Sequence, residues 1–121
     1  MKRIALVEDN PDNRLLVQAM LDDRYTIIEY ENGKDALEGI AQDKPDLVLL
    51  DISLPGMDGE EVLSQIRADE RLKDLYIIAL TAHAMAGDRE HFLQLGFDNY
   101  ISKPILDMQL LIETIEYGLS R

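Results

Sequence analysis

The chain of 121 residues contains no cysteine. A disulfide framework and a thiolate metal site are both excluded, and a reducing cytosol is compatible with that absence. Long apolar runs are missing too. No window reaches the roughly 18 consecutive apolar residues of a membrane span. Only the apolar stretch 4–7 lies between the basic start and Glu8, too short for the core of a signal peptide. The expectation is a soluble, cytoplasmic protein with no membrane contact. Basic residues are scarce: 12 Lys and Arg stand against 24 Asp and Glu, a net charge of −12. Direct nucleic-acid binding normally needs a basic patch, so that class is disfavoured. There is no internal repeat, low-complexity stretch or linker. A hydrophobic content of 46% fits one globular domain over residues 1–121, large enough to bury a core.

What is present alternates. Strand candidates are 4–7 (IALV), 26–30 (TIIEY), 47–50 (LVLL), 76–80 (YIIAL) and 99–102 (NYIS). The first, third and fourth are continuously apolar, as parallel strands covered on both faces are. The second and fifth carry polar residues, as edge strands do. Between them lie helical patterns. Residues 11–21 place Leu15, Leu16, Ala19 and Met20 on one face. Asn32 is placed to cap a helix with Ala36, Leu37, Ile40 and Ala41, and Asp58 to cap 59–68 with Val62, Leu63 and Ile66 inward. A weaker pattern covers 87–95, ended by Gly96, and a stripe of Met108, Leu111, Ile112, Ile115 and Leu119 marks the last helix. The order βαβαβαβαβα implies an α/β domain with a parallel sheet, and buried against edge strands fit the order 2-1-3-4-5. Right-handed crossovers then create a switch point between strands 1 and 3, where ligands of open α/β sheets bind.

Each strand end brings chemistry to that edge. Strand 1 is followed by Glu8 and Asp9, strand 3 by Asp51, strand 4 by Thr81, and strand 5 by Lys103 and Pro104. Three clustered carboxylates repel unless a cation neutralises them or one pKa rises. Hard oxygen ligands suit Mg²⁺, with Mn²⁺ as an alternative. A lysine and a hydroxyl beside such an ion make a phosphoryl site, and an Asp carboxylate can itself become an aspartyl phosphate.

Over essentially its whole length the sequence resembles the receiver domain of two-component response regulators. The resemblance rests on Glu8-Asp9 in VEDN, Asp51 in LLDISLPGMDG, Thr81 in LTAHAMAGD, and Tyr100 and Lys103 in YISKP. It implies a three-layer, doubly wound, flavodoxin-like fold. Asp51 would be the phosphoacceptor. Asp9, Asp51 and the Ser53 backbone carbonyl would bind Mg²⁺, with Glu8 holding metal-bound water. Lys103 would pair with the phosphoryl group. Thr81 would move onto a phosphoryl oxygen, and Tyr100 would rotate inward as the second switch residue. Ser53, Ala82 and His83 would tune the lifetime of the phosphorylated state, and the Lys103–Pro104 bond would be cis. The donor would be a histidine kinase or histidine phosphotransfer protein, and a downstream protein target would read the face formed by helix 4, strand 5 and helix 5. With no output domain in the sequence, the nearest likeness is to single-domain receivers or the receiver module of a hybrid kinase or multidomain regulator. Such a protein promotes only its own phosphorylation and dephosphorylation. One departure is Glu8, where many members of the family have Asp.

Plainer readings compete for the same residues. Asp51 could cap a helix, but Asp58 is better placed. Asp9, Asn10 or Asp12 could each cap the first helix. Taken singly, Thr81 would be an ordinary strand-end residue, Lys103 a surface lysine and Tyr100 a packed edge aromatic, with Met85 and Met108 core. His83 and His91 lack metal-ligand spacing. Among other functions, a metal-dependent aspartyl-phosphate hydrolase would want a second Asp where Ser53 stands. A flavodoxin-like FMN binder would want a Ser/Thr/Gly-rich loop where EDNPDN stands, and the intact acidic and lysine set argues against a purely structural module.

Overall fold

The computed structural model describes residues 1–82 and 88–121. Five parallel strands, β1 (Arg3–Val7), β2 (Thr26–Tyr30), β3 (Leu47–Asp51), β4 (Tyr76–Thr81) and β5 (Asn99–Ser102), form one sheet in the order β2-β1-β3-β4-β5. Helices α1 (Pro11–Leu21), α2 (Gly33–Asp43), α3 (Gly59–Ala68), α4 (Asp88–Leu95) and α5 (Met108–Ser120) alternate with them. The expected order and layering are found. Asp51 and Thr81, expected just after their strands, are the last residues of β3 and β4. The α4 pattern was expected from residue 87, and that residue, His83 and Met85 lie outside the described part.

Strand alternation builds two cores from one sheet. Ala5, Val7, Val48, Leu50, Ile77 and Ala79 face α2, α3 and α4, meeting Ala36, Ile40, Val62, Ile66 and Phe92. Ile4, Leu6, Leu47, Leu49, Ile78 and Leu80 face α1 and α5, meeting Val17, Leu21, Leu111 and Ile115. Every residue from Leu47 to Leu50 is fully buried. Each such side chain contributes about 1.5–3 kcal/mol of transfer free energy, so the central strand is anchored on both faces.

The face expected of α1 is corrected. Leu15, Leu16 and Ala19 are exposed, Met20 is only half-buried, and Val17 and Leu21 enter the core instead. Apolar residues surround this helix at positions 15, 16, 17, 19, 20 and 21, so periodicity alone cannot choose its phase. The start chooses it. Asn10 caps the helix by accepting from the N–H groups of Asp12 and Asn13, with Pro11 as the first helical residue. Asp9 therefore does not cap it. Met108, expected in the stripe of α5, is half-exposed beside the Asp107 cap.

The Asp58 side chain caps α3 by accepting from Glu61 N–H at 2.9 Å, and Asn32 does the same for α2. Asp58→Ala is expected to lower stability by about 1 kcal/mol, read as a fall of roughly 4 °C in the thermal midpoint. At the other end of α3, Arg67 gathers three segments. Its Nε and Nη2 donate to the Gly96 carbonyl (3.0 and 2.7 Å) and Nη1 to the carbonyls of Lys73 and Leu75 (2.8 and 2.6 Å). Nη2 also pairs with Asp98 Oδ2 at 2.9 Å. That same oxygen accepts from Ile77 N–H.

Candidate functional site

The carboxyl ends of β1 and β3 are neighbours, and alternation aims Glu8 and Asp51 to the same side of the sheet as Leu6, Leu49 and Leu80. Both are almost wholly buried, at 1% and 2% exposure. Buried carboxylates need partners. Lys103 supplies one: its Nζ lies 2.8 Å from Glu8 Oε1 and 2.9 Å from Asp51 Oδ2. Lys103 is carried there by β5, its own N–H bonded to the Thr81 carbonyl at 2.6 Å, and the bond to Pro104 is cis. Glu8 Oε2 accepts from Asn10 N–H, and Asp51 Oδ1 from Ser53 N–H. Asp9 is exposed, yet one carboxylate oxygen from each of Glu8, Asp9 and Asp51 lies within 4.8 Å of the other two. Among the described residues, no hydrogen bond or ion pair holds the Asp9 carboxylate.

The electrostatics of this cluster follow from burial. Desolvation and the adjacent Asp51 push the Glu8 carboxyl up to about 7, even though Lys103 and Asn10 pull it down. Burial opposes the charge of Lys103, but hydrogen bonds to the two carboxylates outweigh it and raise its pKa. The site therefore holds more negative charge than one ammonium can balance. Oxygens on opposite sides of a Mg²⁺ ion lie about 4 Å apart, so the three carboxylates have the hard donor set and the spacing for such an ion.

The loop after β3 is built closely around Asp51. Gly56 has φ +73°, in the turn begun by Pro55. At Gly59 a Cβ would sit 2.4 Å from the Asp51 carbonyl oxygen and 2.5 Å from Ile52 Cα. Only glycine lets the start of α3 press directly on the backbone of Asp51.

The remaining predicted residues divide by face. Thr81 is fully buried at the end of β4, opposite Ser102. Alternation puts it on the α2–α3–α4 side with Ala79 and its β5 partner Tyr100. The Tyr100 ring is half-buried against Phe92, 5.5 Å between centroids. Ser53 and Ala82 are exposed at the rim, and His91 is exposed on α4. Glu8, Asp9, Asp51 and Lys103 thus come together at one sheet edge, with Thr81 on the adjoining strand.

The sequence profile of the response regulator receiver domain matches residues 4–116. The chain belongs to this family. It is 40% identical over 95% of its length to a polar-differentiation response regulator, DivK, of Brucella anthropi, covering 94% of that protein. It is also 45% identical over 89% of its length to the sensor protein GacS of Pseudomonas syringae pv. syringae, but spans only 12% of it. Among solved structures, the receiver domain of sensor histidine kinase PA1611 from Pseudomonas aeruginosa PAO1 superposes with a TM-score of 0.89 at 36% identity. It covers 99% of this chain and 98% of that one, and that structure has a magnesium ion coordinated in its active-site cleft. A response regulator from Chloroflexus aurantiacus superposes with a TM-score of 0.91 at 26% identity over 99% of this chain and 98% of that one. Receiver domains are signalling switches. None of the described helices of this receiver domain is long and apolar enough to cross a membrane.

Sequence reasoning passed over Arg14. Its Nη1 donates to the Glu8 carbonyl at 2.8 Å and the Asp9 carbonyl at 3.1 Å. The signal that could have found it is the charge itself, a cation in the first turn of a helix whose dipole favours anions there.

Proposed function

We propose that residues 1–121 form a single receiver domain that accepts a phosphoryl group on Asp51 and signals by changing which proteins it binds. One observation carries this reading: Lys103 Nζ sits between the buried Glu8 and Asp51 carboxylates while Asp9 brings a third carboxylate to the same place. The donor is a histidine kinase or a histidine phosphotransfer protein, the kind of partner suggested by similarity to a sensor protein. An Asp51 carboxylate oxygen forms a bond to phosphorus as the donor's phosphorus–nitrogen bond breaks, and that electron pair returns to the donor imidazole. Asp9, Asp51 and the Ser53 carbonyl would hold Mg²⁺, with Glu8 ordering its water. When bound, the ion supplies charge neutralisation for the phosphoryl oxygens. Lys103 then exchanges a carboxylate partner for a phosphoryl oxygen, Thr81 donates its hydroxyl to another, and Tyr100 turns inward from its seat on Phe92. Exposed Ser53 and Ala82 stand where they meter water access and so set the lifetime of the adduct.

The readout face is α4, β5 and α5. A cleft of about 350 Å³ there is lined by Arg89, Tyr100, Ile101, Ser102 and Leu110, and Tyr117 and Leu93 are exposed nearby. A protein target in the cytoplasm would meet this face.

Incubation with acetyl phosphate tests the reading. A phosphate-affinity gel is expected to show a retarded band with Mg²⁺, none in excess EDTA, and the band again when Mg²⁺ is restored. A band that persists in EDTA would refute the metal dependence. The absence of a band under every condition would refute the switch.

A further inference from the structure

We infer that Arg14 is a positioning residue for the acidic pair: it fixes the backbone turn that presents the Asp9 carboxylate to the metal position. This rests on the Mg²⁺ reading above. Arg14 lies on the first turn of α1, where a cation opposes the helix dipole and weakens the helix. Its place there needs another cause. The side chain folds back and is only 15% exposed, unusual for arginine. Consecutive carbonyls of an extended strand point in opposite directions. Here the Glu8 and Asp9 carbonyls both reach Nη1, at 2.8 and 3.1 Å, so the guanidinium holds the chain at the point where β1 turns into α1. Its other nitrogens face the end of β2, with Nε 3.7 Å from Glu29 Oε1 and Nη2 3.6 Å from Glu31 Oε1. Those two acids lie close enough to offset the charge of Arg14.

The arrangement matters for Asp9 in particular. The Glu8 side chain is fixed independently by Lys103 and by Asn10 N–H. The Asp9 carboxylate has no such partner among the described residues, so the position of its backbone decides which of its rotamers can reach the metal position. A lysine at position 14 keeps the charge, but its ammonium has no planar neighbours to face Glu29 and Glu31 while one nitrogen meets both carbonyls, as Nη1 does here.

The sign of the effect separates positioning from charge. Removing a nearby cation would, through charge alone, tighten Mg²⁺ binding. Removing a positioning group would weaken it. The test uses titration calorimetry of Mg²⁺ into the wild type, Arg14→Lys and Arg14→Met, with amide hydrogen exchange at Asp9 and Asn10 in the metal-free proteins. Both variants are expected to bind Mg²⁺ roughly tenfold more weakly, as when groups that orient metal ligands are removed, with faster exchange at those two amides. With acetyl phosphate, the half-saturating Mg²⁺ concentration should rise by the same factor while the rate at saturating Mg²⁺ changes less than twofold. Unchanged affinity in Arg14→Lys, or tighter binding in Arg14→Met, overturns the inference. If circular dichroism shows Arg14→Met unfolded, Arg14→Lys decides alone, since it differs in geometry and not in charge. A wild type that takes up no Mg²⁺ identifies the metal reading as the one that fails, and the role of Arg14 falls with it.

Discussion

Asp51→Asn is expected to take up no phosphoryl group from acetyl phosphate in the presence of Mg²⁺, where the wild type gives a retarded band on a phosphate-affinity gel. The substitution keeps the shape of the side chain, and an amide oxygen can still accept from Ser53 N–H, 2.9 Å away in the native protein. What is lost is the anion, and with it what the proposed function takes as both the nucleophile and one hard metal ligand. Urea unfolding separates this loss from misfolding, since Lys103 keeps Glu8 as a partner. Asp51 is one of the groups that raise the Glu8 carboxyl to about 7, so removing its charge relieves repulsion in the metal-free site. The variant should therefore be at least as resistant to urea as the wild type at pH 8. Equal phosphoryl incorporation in the two proteins would refute Asp51 as acceptor. Glu8 and Asp9 would then be the next carboxylates to replace.

Lys103→Met should act in the opposite direction on stability. It deprives two buried carboxylates of the ammonium they share. Removing one partner of a buried ion pair costs about 3–5 kcal/mol, and the low end applies because Lys103 retains 16% side-chain exposure. The loss depends on pH. In the wild type the folded Glu8 carboxyl is raised from 4.5 to about 7. Between those values the folded state binds more protons than the unfolded one, so stability falls as pH rises. Without Lys103 one of the influences lowering the Glu8 pKa is gone, and the fall is steeper and extends to higher pH. Metal-free Lys103→Met should lie closer to wild-type stability near pH 4.5 than at pH 8, where loss of the Glu8 charge balance adds up to about 1.4 kcal/mol to the deficit, with Mg²⁺ restoring part of the difference. Urea unfolding across this range measures it. A deficit independent of pH would mean that Lys103 contributes packing and not charge balance.

The sheet was legible because its signals are redundant. The run LVLL is buried on both faces, and no helical phase explains it better. Asn32 and Asp58 stand one residue before the helices they cap. The site was legible for a related reason: strand ends in a parallel α/β sheet share one edge, so Glu8, Asp9, Asp51, Thr81 and Lys103 could be placed together without knowing a single distance. The face of α1 was not legible, because its apolar residues encircle the helix and the choice between Leu16 and Val17 rests on the angle at which Asn10 and Pro11 launch it. Arg14 was missed because an arginine followed by leucines reads as surface. The backbone carbonyls it serves carry no mark in the sequence. Nor does sequence alternation assign Thr81 and Lys103 to opposite sides of the sheet until the register of β4 with β5 is known.

Arg67 has a mechanical consequence. It ties the turn after α4, through the Gly96 carbonyl and Asp98, to the end of α3 and to the segment entering β4. The trailing end of α4 is thereby an anchored pivot, while α3 is seated against Asp51 itself through Gly59. The leading residue of α4, Asp88, lies about 12 Å from that anchor along an eight-residue helix. Phe92, midway along α4, packs against Phe97 and Tyr100 on the side of the sheet where β4 delivers Thr81, so under the proposed switch any movement of Tyr100 is passed to a helix that is tied down at its far end.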